Sequence, residues 1–105
     1  MKKFNKLVRD RIPEIIEESG KIAQVRILPE EEYLLHLEKK LDEEVGEYHR
    51  DQNLEELADI LEVVYALADR IGSRKELMDI LERKHRDRGG FSKGYFLVST
   101  SDEGE

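Results

Sequence analysis

Apolar positions recur at helical spacing through the middle of the chain. Leu34, Leu37, Leu41, Val45 and Tyr48 fall three or four residues apart, which predicts an amphipathic helix from Pro29 to about His49. Glu30, Glu31 and Glu32 place acids against the positive end of its dipole. The turn HRDQN follows, with Asn53 as the expected N-cap of the next helix. From Leu54 to Ile71 the apolar positions cover more than one stripe, and within ADILEVVYALA only Asp59 and Glu62 interrupt them. A helix that is apolar on most sides needs cover on most sides. The other stripes are too few to supply it, so a second copy of the chain is the simplest cover. Upstream, Pro13 opens a short helix that Gly20 stops. Downstream, Gly72 and Ser73 lead into a last helix carrying Leu77, Ile80 and Leu81, which Gly89-Gly90 ends. KIAQVRIL alternates with Ala23, Val25 and Ile27 on one side, and FSKGYFLV is a second short strand pattern able to pair with it. The expectation is all-α: an antiparallel helical bundle completed by dimerisation, with two short peripheral strands. Residues 1–98 would form one domain and residues 99–105 a polar tail.

Composition narrows the function classes. The chain has 105 residues, 41% of them charged, and a net charge of -7. Leu, Ile, Val and Phe still supply 30 residues, enough for collapse to a folded state. With no cysteine, disulfide scaffolds, thiolate nucleophiles and cysteine zinc sites are excluded. No apolar stretch is long enough for a membrane span or a signal peptide, so a cytoplasmic protein without membrane attachment is expected. The charge is segregated. Residues 1–13 carry five cations against Asp10, residues 29–62 carry thirteen acids against Lys39, Lys40 and Arg50, and residues 70–93 carry eight cations against four acids. This pattern suits a site that holds cations and a polyanion together. Generic nucleic-acid binding is disfavoured by the net sign and by the lack of a basic, aromatic strip.

The acidic helices contain two carboxylate pairs at i,i+3, Glu44/Glu47 and Glu56/Asp59. Residues so spaced share a helix face. An antiparallel hairpin about the intervening turn sets Glu44 opposite Asp59 and Glu47 opposite Glu56, bringing four carboxylates to one level. Such a group repels itself and raises its own pKa values unless a cation sits within it. Oxygen-only donors point to a hard ion such as magnesium. The alternative is a set of solvated helix acids paired with Lys or Arg, although only Arg50 is available between residues 41 and 69. Glu43 is expected to face solvent, and Glu62 is a further possible ligand.

The stretch KKLDEEVGEYHRDQNLEELADILEVVYAL resembles the signature of the MazG-like, all-alpha NTP pyrophosphohydrolase superfamily, an ExxE pair followed by an ExxD pair. Relatives in that superfamily include dimeric dUTPases, dCTP pyrophosphatases and phosphoribosyl-ATP pyrophosphohydrolases. The flanks NKLVRDRIPEIIEESGK and RKHRDRGGF are similar to a compact branch of house-cleaning NTP pyrophosphatases. Only eight residues separate Glu47 from Glu56, where many family members have a longer interval.

The resemblance implies that Glu44, Glu47, Glu56 and Asp59 hold magnesium, with manganese a possible substitute. It implies hydrolysis of a nucleoside triphosphate to a monophosphate and pyrophosphate, with phosphoribosyl-ATP as the alternative substrate. Phosphoryl transfer needs charge neutralisation and an aligned water more than a covalent nucleophile. Glu47 and Glu44 are the catalytic candidates, Glu47 first as the residue orienting the water. Arg9, Lys84 and Arg88, with Lys6 next, are the candidate phosphate contacts: arginine grips phosphate bidentately, lysine acts as a point charge, and Lys84 and Arg88 share a face at i,i+4. Asn5 and Asp10 are recognition candidates. Tyr48, Tyr65 and Phe91 could stack on a base, although the first two lie on core stripes. A non-catalytic helical module that dimerises and binds a partner or a nucleotide is the competing reading.

Overall fold

The computed structural model describes residues 1–102 and 104, and the remaining two positions of the expected polar tail lie outside the described residues. Among the described residues the chain is all-helical, with α1 at Ile12–Glu18, α2 at Glu30–Asp51, α3 at Leu54–Ile71 and α4 at Arg74–Arg88. It falls into two compact units, Met1–Arg74 and Lys75–Glu105.

The first unit is built on the α2–α3 hairpin. Helix α2 begins after Pro29, whose ring fixes the backbone outside the helix, and Glu30–Glu32 complement its dipole. It runs two residues past the expected His49. It ends where Gln52 turns left-handed at φ 47°, ψ 51° and donates its N–H to the Tyr48 carbonyl at 2.7 Å. Asn53 then caps α3, its Oδ1 accepting the Glu56 N–H at 2.9 Å. The left-handed Gln52 reverses the chain, and α2 and α3 pack against each other. Leu37 of α2 and Val63 and Ala68 of α3 are the buried apolar side chains among the described residues. Each fully buried leucine or valine contributes about 1.5–3 kcal/mol, so this is a thin core for 74 residues. Helix α3 leaves Leu54, Leu57, Leu61 and Ile71 exposed.

The two strand patterns form no strand within the chain. Residues 21–28 and 91–98 take irregular backbone, and Ile22, Ile27, Tyr95, Phe96 and Val98 are all exposed. Alternation fixes which side chains share a face, but an extended segment becomes a strand only when a neighbour pairs its N–H and C=O groups. In the second unit, α4 is closed by Gly89 at φ +79°, whose N–H reaches the His85 carbonyl at 2.8 Å. No helix among the described residues is long and apolar enough to cross a membrane.

Candidate metal centre

The hairpin turn positions the acidic residues. Because the Asn53 cap ties down the Glu56 N–H, the first turn of α3 is fixed where Glu56 arises. Glu56 and Asp59 then project from one face of α3 towards Glu44 on α2. Carboxylate oxygens of Glu44, Glu56 and Asp59 lie within 4.8 Å of one another. Glu44 is buried, with 9% of its side chain exposed, and the other two are half-buried.

Glu47 stands beside this group. It contacts Glu44 and its charge acts on both Glu44 and Glu56, while its Oε1 lies 3.9 Å from Arg50. Three of the four predicted ligands therefore converge, and the fourth flanks them.

The electrostatics follow from crowding. Burial first, and then the charge of Glu47, hold the Glu44 carboxyl above its ordinary value, and the Lys40 ammonium only partly offsets them. Loss of water contact likewise raises Glu56, followed by the charges of Glu47, Asp51, Asp59 and Glu44. Two oxygens, Glu44 Oε2 and Glu56 Oε2, are buried without a hydrogen-bond partner. Buried carboxylate oxygens left unpaired are costly, and a cation between them removes the cost. The donor set is all oxygen and anionic, so these residues fit a hard metal ion.

Cations of the chain already approach the group. Lys40 Nζ lies 3.4 Å from Glu44 and 3.5 Å from Glu43, with only 16% of its side chain exposed. Glu43 is thus a half-buried ion-pair partner rather than a solvent-facing acid, because Lys6 also reaches it, at 3.7 Å. Arg9 spans Asp59 at 3.2 Å and Glu62 at 3.6 Å. The expectation that only Arg50 could neutralise these acids is corrected here. Lys40 lies just outside the segment that the expectation covered, and its i,i+4 relation to Glu44 was a readable signal. Arg9 lies 50 positions from Asp59, and no local pattern announces that pair.

Of the four phosphate candidates, Lys6 and Arg9 are brought to the acidic hairpin. Lys84 and Arg88 lie exposed on α4 in the second unit. Tyr48 is edge-on to His49, Tyr65 lies under the Arg74 guanidinium, and Phe91 is fully exposed.

No family model matches the chain, and no solved structure does. A protein of Mycolicibacterium smegmatis, described only as uncharacterized, is 56% identical over 41 residues, which are 39% of this chain. The chain spans 42% of that relative's length.

Proposed function

We propose that this chain is a magnesium-dependent nucleoside triphosphate pyrophosphohydrolase that works in the cytoplasm as a homodimer or larger assembly. The observation that carries the reading is the convergence of Glu44, Glu56 and Asp59 with two buried oxygens that lack partners. A magnesium or manganese ion held by these three residues would polarise phosphoryl oxygens and lower the pKa of a bound water. Glu47, one-third exposed beside the group, is the carboxylate available to accept a proton from an attacking water. Arg9 and Lys6 present positive charge along the same hairpin and would draw the phosphate chain to it. The exposed Leu54, Leu57 and Leu61 on α3 support closure by a second copy.

A second reading, a non-catalytic helical module, is favoured by one observation: Arg9 and Lys40 already pair with the acids of the group. Pyrophosphate release separates the two. Purified protein with magnesium or manganese should release pyrophosphate from at least one member of a panel of ordinary and modified nucleotides and phosphoribosyl-ATP. Silence across the panel would sink the enzyme reading. Glu47→Gln and Asp59→Asn should each abolish turnover while the helical circular dichroism survives. Full activity in both would misplace the site.

A further inference from the structure

Ahead of α1 the chain runs without helix or strand through residues 1–9, and two of its side chains tie it to the acidic hairpin. Lys6 pairs with Glu43 at 3.7 Å, outside the three converging carboxylates. Arg9 pairs with Asp59, one of the three, at 3.2 Å, and its second terminal nitrogen lies 3.6 Å from Glu62. Asp59 and Glu62 stand at i,i+3 on α3, so one guanidinium fork bridges neighbouring positions of a single helix face. The backbone of Arg9 is anchored too, since its carbonyl accepts the Ile12 N–H at 3.0 Å where α1 begins.

Lys40 and Arg9 both pair with the acidic group, and they differ in freedom. Lys40 has 16% of its side chain exposed and is held between Glu43 and Glu44. Arg9 has 62% of its side chain exposed, and one of its two partners, Glu62, lies outside the group. A divalent ion among Glu44, Glu56 and Asp59 would compete with Arg9 for the Asp59 charge and repel the guanidinium. The group has a reason to take such an ion even with Arg9 in place. Glu44, with 9% of its side chain exposed, still keeps Oε2 buried without a hydrogen-bond partner. Giving up the Arg9–Asp59 contact costs little, because exposed ion pairs are weak in water, and the Glu62 contact keeps the guanidinium on α3.

We propose that Arg9 is an exchangeable stand-in for the metal: it neutralises Asp59 in the metal-free protein, yields Asp59 to magnesium, and stays beside the site through Glu62. This assignment rests on the metal-binding part of the pyrophosphohydrolase reading. Glu62 then acts as the holding position for Arg9 rather than as a ligand. The half of the guanidinium fork that leaves Asp59 becomes free to meet an anion, so Arg9 serves phosphate only once the metal has arrived. Linkage makes this reciprocal: an anion that holds Arg9 away from Asp59 tightens magnesium by the same factor.

Calorimetric titration of the full-length protein with magnesium chloride, without nucleotide, reads the exchange independently of turnover. Arg9→Gln should bind magnesium roughly two- to fivefold more tightly than wild type, the worth of one exposed ion pair. Arg11→Gln removes the same charge two residues away, from a pair with Glu14, and should change the affinity less. The second readout needs no variant: the Arg9 Nε–Hε resonance of isotope-labelled wild type should move on magnesium addition, but stop short of the position of a free arginine side chain. In Glu62→Gln, magnesium should carry it to that free position. Sulfate, as the anion probe, should shift it at lower concentration with magnesium than without. Unchanged or weaker magnesium binding in Arg9→Gln, an equal gain in Arg11→Gln, or an Arg9 resonance that magnesium leaves in place would each overturn the exchange, and pyrophosphate release on the nucleotide panel would still uphold the enzyme reading. No magnesium binding in wild type or in Arg9→Gln would overturn both. Tighter binding in Arg9→Gln and a moving Arg9 resonance, in a protein that turns over no nucleotide, would keep the exchange and remove the enzyme reading.

Discussion

Glu44→Gln should make the metal-free protein more stable, although it removes one partner of an ion pair. In the native chain Glu44 is buried, is held above its ordinary pKa of 4.5 by burial and Glu47, and has one oxygen with no partner. Glutamine keeps the shape, removes the charge, and gives its amide N–H a neighbour to donate to, the Glu47 carboxylate. Lys40 retains Glu43 at 3.5 Å. An unsatisfied buried oxygen costs about 1–3 kcal/mol, and the lower end of that range applies because the Lys40 contact is weakened. At roughly 4–8 °C per kcal/mol for a domain of this size, Tm rises by a few degrees at neutral pH. The direction with pH is fixed by linkage. A carboxyl whose folded pKa is raised opposes folding fully above that pKa, and the opposition fades as pH falls through it towards 4.5. The advantage of Glu44→Gln should therefore shrink on acidification in that window. Magnesium at ten times its dissociation constant should stabilise the wild type by about 1.4 kcal/mol and leave Glu44→Gln almost unmoved. Thermal melts with EDTA or magnesium, at neutral pH and near pH 5, measure all of this. A variant less stable than wild type in EDTA at neutral pH, or a wild type indifferent to millimolar magnesium, would refute the account of a strained, cation-seeking group.

Two further outcomes follow from the same contacts. Lys40→Met removes the cation nearest Glu44, so the metal-free Tm should fall, magnesium should restore more of it than in the wild type, and calorimetry should show tighter metal binding. Asn53→Ala removes the side chain that accepts the Glu56 N–H and should cost about 1 kcal/mol in denaturant melts, with weaker magnesium binding because the first turn of α3 frays where Glu56 arises.

Local signals made most of the helical frame legible. Asn53 as a cap, Pro29 and the following acids as a helix start, and Gly89 as a stop all act within a few residues, and the structure uses each of them. The hairpin places the two carboxylate pairs at one level, which their spacing about the turn predicts. Which oxygens converge was not legible. Glu47 and Glu44 share a face, yet Glu44 joins Glu56 and Asp59 while Glu47 Oε1 lies 3.9 Å from Arg50.

The sequence by itself determined the four helices, their order and the acidic character of the hairpin, because caps, periodicity and i,i+3 spacing are properties of neighbouring residues. Only the tertiary structure decided what surrounds that hairpin. It brought Arg9 to Asp59 and Lys6 to Glu43, buried two carboxylate oxygens without partners, and gathered Asp10, Tyr33 and Asp69 around one cleft. Residues 21–28 and 91–98 take no strand conformation. These arrangements join positions tens of residues apart, and their energies depend on distance and solvent access, which folding alone sets.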